Sequence, residues 1–443
     1  MSCAAAARFV AGLEGAALPP EVRARMELAL ADTLACLIAG TQTPAARAAA
    51  RAAQKGGPAM QALALGVAAS ALDYDDGHYE GGGIHLGAVI VPALLAALPD
   101  APPAQDPPVN ELLAALAAGY EVGARAGWLL APRAPGDPYH TSGAAGAMGA
   151  AAAVARLLGL DAAGCLAALR IASAHAPIAG LQLPMVKEAI GWGAATGLAA
   201  AQLAAAGFGG GFGAVSGAQD PAEAPLGIAP TPFDGPHGRA PFALGWGQAW
   251  HSLNAYIKPW PCCRAIHTAI AGVEELLARA GAPATAIERI EVEVPAGCAG
   301  LSFLPPASMD HAQFSLPFVL GCLMVHGAVR PAHFLGAGLA DPAVLAAAAR
   351  VHLRADPALA PLSSATSYPA RVALTIGGAV WRLAVDHAPG SRARPLGRAA
   401  VAAKLAEAAA LAGLPADAIP APGRLPRRAD LFALFPPPTE MNL

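Results

Sequence analysis

Lysine is almost missing from this chain. Lys55, Lys187, Lys258 and Lys404 are the only four in 443 residues. Charged residues together make up 13%, about half the usual share, and the formal net charge is -3. No basic stretch offers an electrostatic footprint for nucleic acid or an anionic membrane, so neither is expected as a partner. Paired cysteine spacings are lacking too. Cys3, Cys36, Cys165, Cys262, Cys263, Cys298 and Cys322 are scattered and odd in number, which speaks against a disulfide framework and for a reducing, cytoplasmic setting. Adjacent Cys262 and Cys263 are not a CxxC pair, so zinc and thioredoxin-type readings are weak. "MSCAAAARFVAGLEG" has no basic region leading into a long apolar run, so no signal peptide is expected. The uncharged run from Ala189 to Gln219 is long enough to span a bilayer but consists mainly of Ala and Gly. It reads as a buried helix ending at Gly207.

What the chain has instead is alanine, the best helix former. "PPEVRARMELALADTLACLIAG" opens on prolines suited to a first helical turn, and Val22, Met26, Leu30, Thr33 and Leu37 share one face before Gly40. Further helices are expected over Pro44–Lys55, Gln61–Ser70, Ile90–Leu98, Val109–Leu130, Ser142–Leu158, Ala162–His175 and Met185–Ala206. "DAPPAQDPP" and "DPAEAPLGIAPTPFDGPHGRAP" read as loops. The pattern changes after Pro261. "RIEVEV" alternates as a half-buried strand, and "ARVALTIGGAVWRLAVD" reads as a hairpin about Gly377-Gly378. Helices are expected at His267–Ala280, Ser315–Val325 and Arg398–Ala412. The fold class is therefore mainly α with an α+β part. A large helical domain covers 1–258 and is completed by 395–443; a smaller α+β lid domain covers 259–394.

Against so apolar a background, "ALDYDDGHYEGGGIHLGAVIVPALLAALP" crowds Asp73, Asp75, Asp76, His78, Glu80 and His85 into one segment before an apolar helix. Three readings compete. The cluster could ligate a metal, although its spacing matches no EF-hand or zinc template. It could be an Asp- and Gly-rich turn that caps a helix. Or an aspartate could orient a catalytic histidine on a loop that glycine lets approach a ligand. Lys187 in "LPMVKEAIGWGAATG" and Lys258 in "NAYIKPWPCCRAIH" have small, aromatic or proline neighbours, where an ammonium is costly to desolvate unless it meets an anion. The alternative is a stem laid along apolar surface with the charge in water. Lys55 and Lys404 read as ordinary surface or helix-end residues. His140 precedes a glycine-striped helix with Thr141 or Ser142 as its cap. There it would be a neutral base or a plain capping or core histidine. "GFGGGFG" follows a helix and not a strand, so a dinucleotide loop is discarded. Cys263, four residues before His267, lacks the setting of an activated nucleophile.

These segments, in this order, resemble the MmgE/PrpD family, which includes 2-methylcitrate dehydratases, cis-aconitate decarboxylases and iminodisuccinate epimerases. The matching stretches are "LADTLACLIAG", "LDYDDGHYEGGGIHLGAVIVPALLA", "GYEVGARAG", "YHTSGAAGAMGAAAAVARLLGL", "KEAIGWGAATGLAAAQLAAAGFGG", "KPWPCCRAIHTAI", "AQFSLPFVLGCLMVHG" and "PGSRARPLGRAAVAAKL". The resemblance implies a helical domain and a smaller α+β lid with the site between them, a homodimer, and no cofactor or metal. It carries over Asp73, His85, His140, Lys187 and Lys258 as catalytic residues. Gly77 stands where the family often has threonine, the Asp73–His85 spacing is longer than in the decarboxylases, and Cys263 replaces a histidine of some members.

The expected chemistry is proton removal and donation α to a carboxylate of a small di- or tricarboxylate. Asp73 is the expected partner of His85. Lys187 and Lys258 clamp carboxylates, and His85 and His140 act as base and acid. Arg264, Cys263, His267, Asp75 and His78 complete the substrate-binding set. The rivals are a metal-dependent hydrolase built on Asp73, Asp75 and His85, and a non-catalytic carboxylate-binding relative.

Overall fold

The computed structural model describes residues 3–78, 83–98, 109–130, 139–177, 179–180, 185–209, 245–362 and 368–415. The two stretches expected to be loops, 100–108 and 220–241, lie outside them. The chain divides into two compact units. Unit 1 comprises Met1–Ala71, Asp75–Ala255 and Arg398–Leu443; unit 2 comprises Leu72–Tyr74 and Tyr256–Gly397.

Unit 1 is helical. Its helices are α1 (Ala4–Gly12), α2 (Pro20–Gly40), α3 (Pro44–Ala53), α4 (Pro58–Ser70), α5 (Gly87–Ala97), α6 (Val109–Leu130), α7 (Ser142–Leu157), α8 (Ala162–Ala174) and α9 (Met185–Ala205), with Arg398–Leu411 packed against α2. Most ends fall within a residue or two of those read from glycine and proline punctuation. The reading missed α1, and α4 and α5 begin about three residues earlier than expected.

Helix α7 lies at the centre, against α5, α6, α8 and α9. Its contacts are backbone to backbone. A Cβ on Gly193 of α9 would stand 2.6 Å from the Gly143 carbonyl oxygen, and one on Gly149 would stand 2.7 Å from that of Gly119 on α6. The stripe of small residues is thus what lets these helices approach, and α5 between them is buried along its whole length. Thr141 holds the N-cap position of α7 without a side-chain cap bond. The expectation that Thr141 or Ser142 caps this helix is corrected: the Ser142 hydroxyl accepts a hydrogen bond from the His85 backbone N–H at 3.0 Å.

Lys404 is not a surface residue. It is 5% exposed, and its ammonium lies 2.6 Å from Asp32 Oδ1 on α2. Burial opposes the Lys404 charge, but Asp32 and the adjacent Cys36 outweigh it and hold the ammonium protonated. Burial pushes Asp32 up to about 6, leaving it ionised at neutral pH. One aspartate inside the otherwise apolar "LALADTLACLI" was the available signal.

Unit 2 contains a four-stranded sheet of β1 (Ile287–Val294), β2 (Val351–Ala355), β3 (Ala370–Ile376) and β4 (Ala379–Val385) in the order β2-β1-β3-β4. β1 pairs parallel with β2 and antiparallel with β3. The β3–β4 hairpin turns at Gly377 and Gly378, both at positive φ as a primed two-residue turn requires. Helix α10 (His267–Ala280) packs on β3 and β4. The unit also holds α11 (Met309–Gln313), α12 (Leu316–His326) and α13 (Pro342–Ala348). Gly390 sits at φ +86, where a Cβ would stand 1.8 Å from the Ile257 carbonyl oxygen. Its own carbonyl accepts from Ile257 N at 3.0 Å, which docks the loop after β4 beside Lys258. Among the described residues, no helix is long and apolar enough to cross a membrane.

Two alanine substitutions separate backbone proximity from helix propensity. Replacing glycine in a helix ordinarily stabilises by about 0.5–1 kcal/mol. Gly12 has open space around its missing Cβ, so Gly12→Ala is expected to keep or raise the melting temperature. At Gly193 the obstruction is backbone that cannot turn aside, and overpacking costs about 1–3 kcal/mol. Gly193→Ala should therefore melt lower than wild type; equal melting of the two variants would refute the close-packing account.

Candidate functional site

The segment joining α4 to α5 supplies acceptors at nearly every step. Ala71 offers its carbonyl to the Lys187 ammonium at 2.6 Å. Lys187, in the first turns of α9, is 5% exposed. Its charge is thus not carried out to water along an apolar surface.

In unit 2, Asp73 is the one non-glycine residue among those described with positive φ, at +50. Such a conformation costs on the order of 1–3 kcal/mol and persists only where its surroundings impose it. Here Lys258 does so. Its ammonium donates to the Asp73 carbonyl at 3.0 Å and to Oδ1 at 2.7 Å. Lys258 is 1% exposed, so the pair is desolvated.

In unit 1, His85 meets two groups of the segment that leads into α5. His85 Nδ1 lies 2.9 Å from the Asp76 carbonyl oxygen, with the Asp75 carboxylate beside it at 3.1 Å. Both neighbours are acceptors, so Nδ1 must carry the proton. In the neutral imidazole this makes Nε2 the basic nitrogen. Spacing along a loop could not say which carboxylate meets the ring.

Asp76 itself is fully buried. Its Oδ1 accepts from Gly87 N, the first residue of α5, at 2.9 Å, and its Oδ2 accepts from the Tyr120 hydroxyl of α6 at 2.6 Å. Burial raises the Asp76 carboxyl, against the two hydrogen bonds. Burial and the facing Asp76 raise Tyr120 well above its ordinary value, so the phenol keeps its proton and donates it. Tyr120 and the hydroxyl of Ser142 were missed in the sequence. A tyrosine within "AALAAGYEVGARAG" was the available sign.

His78 is buried, and its Nε2 donates to the His251 carbonyl at 2.7 Å. The two-residue strand Tyr139–His140 pairs antiparallel with Ala179–Gly180, His140 opposite Ala179. The His140 side chain lies outside what is described. In unit 2, Arg264 donates to the Pro389 carbonyl at 2.7 Å, to the Ala388 carbonyl at 3.2 Å, and to His267 Nδ1 at 3.1 Å. A guanidinium can only donate, so His267 accepts at Nδ1 and donates from Nε2 to the Cys262 carbonyl at 3.1 Å. His267 is thereby a neutral brace for Arg264. It is not poised as a base for Cys263, whose thiol burial pushes up to about 12.

Asp73 is committed to Lys258, and among the described residues no three His, Cys, Asp or Glu side chains converge to hold an ion.

Comparison with family models places the chain. The MmgE/PrpD N-terminal domain matches residues 4–221, and the MmgE/PrpD C-terminal domain matches residues 260–417. The two spans cover most of the sequence, and the chain belongs to the MmgE/PrpD family. Members of that family are in general enzymes: dehydratases, a decarboxylase and an epimerase. No curated protein matches the chain.

The raised Cys263 thiol predicts slow alkylation. At pH 8 a thiol near 12 has a thiolate fraction of about 10⁻⁴, against roughly a quarter for an ordinary cysteine. Its reaction with iodoacetamide, followed by peptide mass spectrometry on the native protein, should be about a thousandfold slower than that of free cysteine. It should also rise about tenfold per pH unit up to pH 10. Alkylation at the free-cysteine rate would restore Cys263 as a nucleophile.

Proposed function

We propose that this protein is a lyase or isomerase that moves a proton α to a carboxylate of a small di- or tricarboxylate, with His85 as the base. The observation that carries the reading is the clamped imidazole: Nδ1 is bound to the Asp76 carbonyl with the Asp75 carboxylate alongside, which makes Nε2 the basic nitrogen of the neutral ring. A proton α to a carboxylate is poorly acidic, so the charge that develops must meet fixed cations. Lys187 supplies one in unit 1; Lys258 and Arg264 are the buried cations of unit 2. His140 is proposed as the acid.

Three outcomes share this apparatus. Abstraction of the α-proton by Nε2 followed by departure of a β-hydroxyl, protonated as it leaves, is dehydration. Return of a proton to the opposite face is epimerisation. Loss of carbon dioxide leaves a carbanion that needs only the acid, which is decarboxylation. Family membership supports this group of reactions in general.

An NMR screen in D2O against citrate, methylcitrate, aconitate, itaconate and aspartate-derived acids reads all three. Wild-type protein should incorporate deuterium into, or turn over, at least one of them. General acid–base catalysis contributes roughly 10²–10⁴-fold, and His85→Gln should lose that much while remaining folded. A loss below about tenfold on the true substrate would remove His85 from the chemistry. Silence across the panel would mark a non-catalytic carboxylate binder.

Lys187→Met tests the cation separately. Charge-assisted hydrogen bonds are worth about 1.5–3 kcal/mol, so calorimetric affinity for a non-reacting polycarboxylate should fall at least about tenfold. Melting should fall by no more than the loss of the hydrogen bond to the Ala71 carbonyl, about 1–3 kcal/mol. Unchanged affinity would leave Lys187 a structural donor to Ala71.

A further inference from the structure

We propose that Tyr120 and Asp76 form a positioning pair that fixes the tautomer and aim of His85; the inference rests on His85 being the base. The pair lies inside unit 1, and both residues are fully buried. His85 is fixed at two separate points. Its backbone N–H is held by the Ser142 hydroxyl at the start of α7, and its ring Nδ1 by the Asp76 carbonyl. The first contact fixes where the residue is and leaves the ring free to rotate. The second decides which nitrogen is protonated, and it is only as rigid as the Asp76 peptide.

That peptide lies in a loop. Its rigidity comes from the Asp76 carboxylate, which is anchored at both oxygens to different helices: Oδ1 to the first N–H of α5, and Oδ2 to the Tyr120 hydroxyl on α6. Space around the pair is tight. A Cβ on Gly87 would stand 2.4 Å from Thr33 Oγ1, 2.6 Å from Asp76 Oδ1 and 2.7 Å from the Tyr120 oxygen. Glycine at 87 therefore admits the carboxylate and the phenol together. The Arg25 guanidinium is the cation that acts on both Asp76 and Tyr120 across this buried cluster. Removing the Tyr120 hydroxyl frees one carboxylate oxygen, lets Asp76 rotate about Oδ1, and moves the carbonyl that holds Nδ1. Nδ1 is then left to the Asp75 carboxylate alone, at 3.1 Å, and the fraction of rings that carries Nε2–H cannot accept a proton there.

Neither Tyr120 nor Asp76 is assigned contact with substrate, so the expected signature is kinetic. Misplacement of about 1 Å at a reacting group can cost on the order of 100-fold. Tyr120→Phe should lower kcat about 10–100-fold with KM within about threefold. Nitrogen-15 spectra of histidine-labelled protein, with His85 assigned by its loss in His85→Gln, should show a single Nδ1–H tautomer in wild type. In Tyr120→Phe they should show a mixture. Tyr120→Phe with wild-type kcat, or with reduced kcat but an unchanged tautomer, overturns the proposal. So does an Nε2–H tautomer in the wild type, a measurement that needs no variant to fold. If His85→Gln itself retains activity, the base assignment fails first. If His85→Gln is inactive while Tyr120→Phe is normal, only the positioning pair fails.

Discussion

The structure of unit 1 depends on how closely its helices can approach. Glycines on α6, α7 and α9 bring carbonyl oxygens to within 3 Å of where a Cβ would stand. Large side chains would hold such helices at ordinary spacing of about 8–10 Å. This constraint accounts for the composition. Alanine loses no rotamer freedom on burial, and close backbone packing gains dispersion where side-chain area is small. Aromatics are few because the packing has no room for them between backbones. The polar groups that hold His85 then sit on parts that cannot shift: Ser142 begins α7, Tyr120 lies midway along α6, and Gly87 begins α5.

In so apolar an interior each buried charge is expensive, and most of those described meet an opposite one. Asp32 faces Lys404, Glu121 faces Arg125, and in unit 2 Asp73 faces Lys258. Such pairs are weak sources of stability, since hydrophobic residues of the same volume often do as well or better. What they provide is placement. Lys404 ties the helix Arg398–Leu411 to α2. The Glu121 carboxylate accepts from Ser252 N at 2.7 Å, anchoring the turn whose His251 carbonyl holds His78. Lys258 stabilises a left-handed residue that would otherwise relax.

Much of this architecture was legible in the sequence, because alanine- and leucine-rich helices with glycine and proline between them leave little ambiguity. Val109–Leu130 and His267–Ala280 coincide with the expected spans, and the hairpin at Gly377-Gly378 follows from strand alternation about a glycine pair. β2 was missed because a five-residue strand reading "VHLRA" shows no clean alternation. Lys404 was misread because its helix looks like any alanine-rich surface helix; only the lone Asp32, 372 positions away, could have matched it. The site was half legible. Scarcity singled out Lys187 and Lys258, and crowding singled out the loop. Which aspartate meets which cation depends on backbone dihedrals, and no spacing rule carries those.

The crowding of that loop now has a physical account. In "ALDYDDG" the buried Leu72 and Tyr74 alternate with acceptors. The Ala71 carbonyl takes Lys187, Asp73 takes Lys258 twice, the Asp75 carboxylate lies beside His85, and Asp76 serves His85, Gly87 and Tyr120 together. A helix or strand could not present these groups, because its carbonyls would be spent on its own ladder. An irregular, acidic segment leaves both carbonyls and carboxylates available, and rigid helices supply the donors. In unit 1 this segment holds the Lys187 ammonium and the His85 imidazole, and in unit 2 its Asp73 holds the Lys258 ammonium. At Nδ1 of His85 the Asp76 main-chain carbonyl accepts whatever the side chain, but a neutral Asn in place of Asp75 would bring a donor as well as an acceptor to the ring and blur the single tautomer on which a base depends.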